Sequence, residues 1–201
     1  MQTMQGRQTG VTLVELTVTL AVVAVLAAFA APSIKAILES NRLTALNNQL
    51  VSSLNYARSE AVKRNYPVTM CVRNSAGTGC ATSGGFENGW IIFVDCNGNN
   101  VVNTSGCDFG AGNANVAEPI LQDVTPNANG ITVTGQGSAS PVVRYRPNGG
   151  IAGVSSSLTL NSTGEAEQTL NMGATPRQKI KIQGNTGRIR SCKIPADATD
   201  C

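Results

Sequence analysis

The chain has 201 residues, of which 41% are hydrophobic, 4% aromatic and 13% charged, with 21 glycines and a formal charge of +3. That length accommodates one ordinary domain with an anchor or tail, and the composition favours strands and turns over helix. The charge is too small by itself to announce a nucleic-acid binder. Histidine is absent, which removes Ser-His-Asp and Cys-His catalysis and every His-ligated metal site. No Gly-x-Ser-x-Gly, phosphate loop or Gly-x-Gly-x-x-Gly turn occurs, so neither an enzyme nor a cofactor is expected.

Residues 1–10 are short and polar and end Arg7-Gln8-Thr9-Gly10. Val11 to Ala31 is then nearly all apolar, with Glu15 as its only charge. About 20 helical residues at 1.5 Å each cross the ~30 Å hydrocarbon core, so this run predicts a membrane-spanning helix over 11–34. A basic residue ahead of the run predicts a cytoplasmic N-terminus. The small residues Ala27-Ala28-Phe29-Ala30-Ala31 also fit a cleavable secretory signal. Against that stands Glu15. A lone carboxylate inside the bilayer costs roughly 2.5–3.5 kcal/mol, and a disposable signal has no reason to carry one. A positive charge on a neighbouring subunit is the partner such an acid needs.

From Ser33 to Lys63 there is neither Pro nor Gly. Leu43, Leu46, Leu50, Leu54, Ala57 and Ala61 recur at three- and four-residue steps, the mark of an amphipathic helix. The other side carries Arg42, Asn47, Ser53, Arg58, Glu60 and Lys63. The helix over 35–64 is expected to pack on a head domain, and Pro67 to end it.

Beyond Pro67 short apolar runs alternate with turn clusters, predicting a β domain over 67–201. Strands are expected near 68–72, 90–95, 119–123, 131–134, 142–145, 157–160, 177–182 and 188–190. The turns lie at Gly77-Thr78-Gly79, Asn97 to Asn100, Pro147 to Gly150 and Gly184 to Gly187. The fold class is α+β, a long N-terminal helix on a mostly antiparallel β head. Residues 103–117, poor in bulky apolar side chains, read as a loop.

Six cysteines allow 15 pairings. Sequence neighbours delimit three short loops: Cys71 to Cys80, Cys96 to Cys107 and Cys192 to Cys201. Zinc is the rival reading, but Cys-x-x-Cys spacing and histidine are both missing. Disulfides are therefore expected, each closing a short loop for about 2–3 kcal/mol, in an oxidising compartment outside the cytosol. Asp95, Asn97 and Asn99 have the alternate spacing of a Ca²⁺ loop, yet Gly106 stands where the twelfth-position acid belongs. A plain turn is the better reading, and no metal is expected.

The C-terminal third is basic. Arg144, Arg146, Arg177, Lys179, Lys181, Arg188, Arg190 and Lys193 are opposed only by Glu165 and Glu167 before the last residues. Period-2 alternation puts Lys179 and Lys181 on one strand face, opposite Ile180 and Ile182, and treats Arg188 and Arg190 likewise around Ile189. A turn over 184–187 would make these strands neighbours, so the cations share a surface. Like charges across a sheet are mildly destabilising, and an anionic ligand would justify them. Phosphate contacts need Lys and Arg at repeated spacing and no base reading. Protection of an edge strand and contacts with neighbouring subunits are the bland alternatives.

Gly10-Val11-Thr12-Leu13-Val14-Glu15-Leu16 resembles the type III signal of type IV pilins and type II secretion pseudopilins. The resemblance implies that a prepilin peptidase cuts after Gly10 and methylates Val11, where the family prefers Phe or Met. It also implies that Glu15 pairs with the new N-terminal amine of an adjacent subunit during assembly. Pro32 falls where the family carries a helix-kinking proline.

Within that superfamily the head resembles the FimT/FimU/GspH group of minor pilins and pseudopilins, most of all its FimT-like members. Four stretches carry the likeness: Tyr56 to Arg64, Gly89 to Asp95, Arg146-Pro147-Asn148-Gly149 and Gly187-Arg188-Ile189-Arg190. The resemblance implies a protein held in the inner membrane and then built into an extracellular pilus with major and minor pilins. Its Gly-Arg-x-Arg tail implies capture of double-stranded DNA for natural transformation through Arg188 and Arg190. Strand geometry extends the set to Lys179, Lys181 and Lys193. The alternative is a GspH-like pseudopilin of type II secretion without DNA binding.

Overall fold

The computed structural model describes residues 10–109, 115–128, 130–136, 142–152, 156–162, 177–183 and 186–194. The chain divides into two compact units, Met1–Leu38 and Glu39–Cys201. One helix, α1 (Leu13–Arg64), runs through the boundary.

In the first unit α1 begins where Thr12 caps it. The Thr12 hydroxyl accepts a hydrogen bond from the Glu15 amide at 3.2 Å, satisfying one of the orphan donors of a helix start. Glu15 thus occupies the first turn, where the helix dipole favours an acid. The Thr-x-x-Glu spacing is a capping signature. The described side chains of the apolar run are exposed. Among the described residues no helix is long and apolar enough to cross a membrane.

In the second unit the expected stripe is the core face of the helix. Leu43, Leu46, Leu50, Leu54, Ala57 and Ala61 are all buried. Three residues expected on the polar side, Asn47, Ser53 and Glu60, are buried too. Each has a partner that makes burial tolerable: the Ser191 hydroxyl donates to Asn47 Oδ1 at 2.9 Å, the Trp90 indole donates to Ser53 Oγ at 3.0 Å, and Arg64 donates to Glu60 at 2.6 Å. The buried arc is wider than the apolar stripe because two sheets cover the helix. Asn65, with φ +57°, ends the helix in the left-handed region just ahead of Pro67.

The strands are β1 (Val68–Val72), β2 (Trp90–Val94), β3 (Ile120–Val124), β4 (Ile131–Gln136), β5 (Val142–Tyr145), β6 (Ser156–Ser162), β7 (Arg177–Ile182) and β8 (Ile189–Ile194). They form two four-stranded sheets, in the orders β3-β2-β1-β5 and β4-β6-β7-β8. Every pairing within them is antiparallel. The α+β class expected from sequence is the class observed. Every expected strand is found, β1, β5 and β7 with the expected bounds; β2 ends one residue earlier, β3 lies one residue later, β4 and β6 run longer, and the last strand starts after Arg188 and reaches Ile194, because pairing with β7 continues past the alternating segment.

One core joins the helix to both sheets, with Trp90, Tyr145, Met70 and Ile92 from the first and Ile180 and Ile182 from the second. Burying each large side chain contributes about 1.5–3 kcal/mol. β1 and β2 are buried on both faces, since Cys71, Ile91 and Phe93 make a second cluster on the side away from the helix.

Two of the expected disulfides are present, Cys71–Cys80 and Cys96–Cys107, with Cα atoms 5.5 and 5.6 Å apart. Cys192 is disulfide-bonded as well, and Cys201 lies outside the described residues. Within the expected loop 103–117, Cys107 and Val116 bridge through reciprocal backbone hydrogen bonds of 3.1 and 3.0 Å. The turn residues Gly184 and Asn185 lie outside the described residues, as do Glu165 and Glu167.

Candidate functional site

The β7–β8 pair gathers most of the candidate cations. The register sets Lys181 opposite Arg190 and Lys179 opposite Cys192. Directly opposed residues of an antiparallel pair share a face, so Lys179, Lys181 and Arg190 lie on one side. Arg190 is exposed, while Lys179 and Lys181 are half-buried and neither is without a partner. Ile180 and Ile182 fill the core behind them. Lys193 departs from the expected grouping. It pairs with Gln178, whose amide donates to Thr44 Oγ1 on the helix at 3.2 Å, so Lys193 belongs to the opposite face. The period-2 rule itself separates them, since 193 and 190 differ by an odd number.

Arg144 leaves the basic surface altogether. Its guanidinium donates to the Gly98 carbonyl and lies 3.9 Å from Asp95 in the first sheet.

Arg188 is exposed and just precedes β8. A closed turn holds it: the Gln183 amide donates to the Arg188 carbonyl at 3.0 Å, and the Gly187 amide donates to the Gln183 carbonyl at 2.7 Å. Gly187 has φ +61°, and a Cβ there would run into the Gly149 carbonyl oxygen. Both the left-handed backbone and the close approach demand glycine. The same Gly149 carbonyl accepts a hydrogen bond from Arg58 Nε at 3.1 Å. Three stretches singled out in the sequence, the helix end, the Arg146–Gly149 turn and the Gly187–Arg190 segment, therefore meet at one carbonyl. Beneath it lies the buried Tyr145 phenol, whose oxygen has no hydrogen-bond partner among the described residues. Burial pushes its pKa well above the usual tyrosine value, with the Arg58 charge acting against that rise.

The Asp95 turn is a second polar cluster. Asp95 is fully buried. Its carboxylate accepts from the Thr69 hydroxyl at 2.8 Å, the Asn99 amide at 3.0 Å and the Asn100 amide at 3.1 Å. Asn97 Oδ1 accepts from the Asn99 amide at 3.1 Å and Asn99 Oδ1 from the Val101 amide at 2.8 Å. The oxygens that a Ca²⁺ loop would aim at a cation are taken by the loop's own N–H groups. Glu118, also buried, behaves alike and accepts from the Cys96 and Asn103 amides at 2.9 and 2.8 Å. It lies near the sulfurs of Cys96 and Cys107, but those are bonded to each other and offer no thiolate. Sequence reasoning missed Glu118, whose only signal is an acid beside a strand and far from any base.

Residues 46–185 match the family model of the type II transport protein GspH. The chain belongs to the GspH family. Residues 5–31 of this GspH-family protein match the prokaryotic N-terminal methylation motif, so Gly10, Val11 and Glu15 all fall inside it. The two matches put the protein in the type IV pilin-like group of minor pilins and pseudopilins. It is also similar to the type IV minor pilin FimU of Pseudomonas aeruginosa in two crystal forms. One is 18% identical over 76% of this chain and 89% of that one, with a TM-score of 0.49. The other is 16% identical over 77% and 94%, with a TM-score of 0.46. No curated protein matches the chain.

Proposed function

We propose that this protein is a minor type IV pilin that enters a pilus, at its tip or within it, and captures double-stranded DNA there for natural transformation. On this reading prepilin peptidase cuts after Gly10, and the helix over 11–34 holds the protein in the inner membrane with its N-terminus cytoplasmic until assembly. Glu15 then meets the new amino terminus of an adjacent subunit. The membrane reading rests on the apolar run of the sequence and the assembly reading on the methylation motif.

The observation that carries the DNA reading is the β7–β8 register. It aligns Lys179, Lys181 and Arg190 on one face, with Arg188 exposed at the strand entrance. Such spacing suits phosphate contacts, and the absence of aromatic residues from 177–194 favours a duplex backbone over stacked single strands. Lys193, on the other face, is left out of the set.

The test is a gel shift of the mature chain in detergent. Arg188→Gln with Arg190→Gln should weaken duplex binding and flatten its salt dependence by about two phosphate contacts. Unchanged affinity and slope would sink the model. Glu15→Ala should insert normally and enter filaments poorly; normal incorporation would remove the pairing role.

The second reading is a GspH-like pseudopilin of type II secretion, favoured by the description of the matching family. It keeps the anchor and the assembly step and predicts no DNA binding.

A further inference from the structure

Beside the Gly149 carbonyl the surface opens into a groove of about 480 Å³. Asn55, Arg58, Ser59 and Lys63 from the last turns of α1 form one wall, and Asn148 and Gly149 form the other. Among the described residues the lining holds two cations and no acid. Arg58 spends Nε on the Gly149 carbonyl, and a Cβ on Gly149 would lie 3.3 Å from that Nε and 3.6 Å from Nη2. The guanidinium thus lies against the turn. Lys63 is 76% exposed and lies 3.7 Å from Glu60 Oε1, while Arg64 holds the other oxygen of that carboxylate at 2.6 Å. Its ammonium remains open to a second anion.

The groove adjoins the cationic strands. Gly149 touches Gly187, and the next residue is Arg188. The groove therefore lies beside the segment that carries Arg188.

We propose that this groove is a second phosphodiester site, with Lys63 and Arg58 as its cations and the Asn148 amide as a neutral donor. It extends the β7–β8 face along the same duplex. The inference rests on the DNA reading above and adds to it residues contributed by the helix, outside the basic C-terminal segment. The shared chemistry is a phosphate oxygen, which a duplex or free inorganic phosphate supplies.

The experiment measures anisotropy of a labelled duplex of about 30 base pairs against the mature full chain in detergent. Lys63→Gln is the probe, since Arg58 also holds the turn. Arg42→Gln, an exposed helix charge away from the groove, controls for net charge. The expected result for Lys63→Gln is about 3- to 10-fold weaker binding and a log–log salt slope smaller by about 0.9, with Arg42→Gln unchanged. If the two variants behave alike while the wild type binds, the groove assignment falls and the strand face stands. If the wild type does not bind duplex, both fall. If Lys63→Gln leaves duplex binding intact but abolishes a rise in Tm that 10 mM inorganic phosphate gives the wild type, the groove takes a small anion and the duplex assignment is overturned.

Discussion

The two sheets handle polar groups in opposite ways. In the first, β1 and β2 are buried on both faces, and the charges at their ends are neutralised internally. Asp95 and Glu118 each accept from two or more groups of their own loops, and Arg144 turns back to that cluster. In the second, β7 buries Gln178, Ile180 and Ile182 and leaves Lys179 and Lys181 half-buried on the other side. A half-buried face carries charge more cheaply than a fully buried one, because water still solvates it. The cations of the second sheet thus stay within reach of water, while the acids of the first are held by their loops.

The sharpest way to break this contrast is to remove the Asp95 carboxylate. Asp95→Ala strands the Thr69 hydroxyl and the Asn99 and Asn100 amides and should cost about 3 kcal/mol, read as a fall in urea midpoint. A loss under about 1 kcal/mol would show that the turn holds itself. Tyr145→Phe goes the other way. The phenol oxygen is buried without a partner among the described residues, so its removal should be neutral or stabilise by about 1 kcal/mol. A clear destabilisation would reveal an unseen partner.

Smaller still is the effect of Glu60→Gln, about 0.5 kcal/mol from the helical pair with Arg64. The hydrogen bond from Arg64 holds the Glu60 carboxyl below its ordinary value, outweighing burial, which raises it. A depressed folded pKa gives stability present above the unfolded value and lost as pH falls through the folded one. The difference between wild type and variant should therefore be seen at pH 7 and shrink below about pH 4. A pH-independent difference would assign the loss to packing. Least of all, the Arg188→Gln and Arg190→Gln pair should alter stability by under about 0.5 kcal/mol while weakening DNA binding. A large loss of stability would make these arginines part of the first sheet's kind of order.

The helix and the strands were legible because each is written in a local period. Leucines from 43 to 54 at steps of three and four mark the face that is buried, and β1, β5 and β7 have the bounds that their alternation and flanking turns imply. The cysteine loops 71–80 and 96–107 were legible because short spans with Gly, Ser and Asn can fold back on themselves. The burial of Asn47 and Ser53 was not, since nothing local announces that Ser191 and Trp90 will reach them.

By itself the sequence determined the elements, the acid in the first turn of the helix, the motif around Gly10 and the alternation of cations along β7, all set by neighbours within a turn or two of chain. Only the tertiary structure decided which strands share a sheet, that Asn47 and Ser53 are buried, and that Arg58, Gly149 and Gly187 meet. Those outcomes depend on pairings between residues as many as 144 positions apart, and pairing at that range is selected by packing of the whole core rather than by any local pattern.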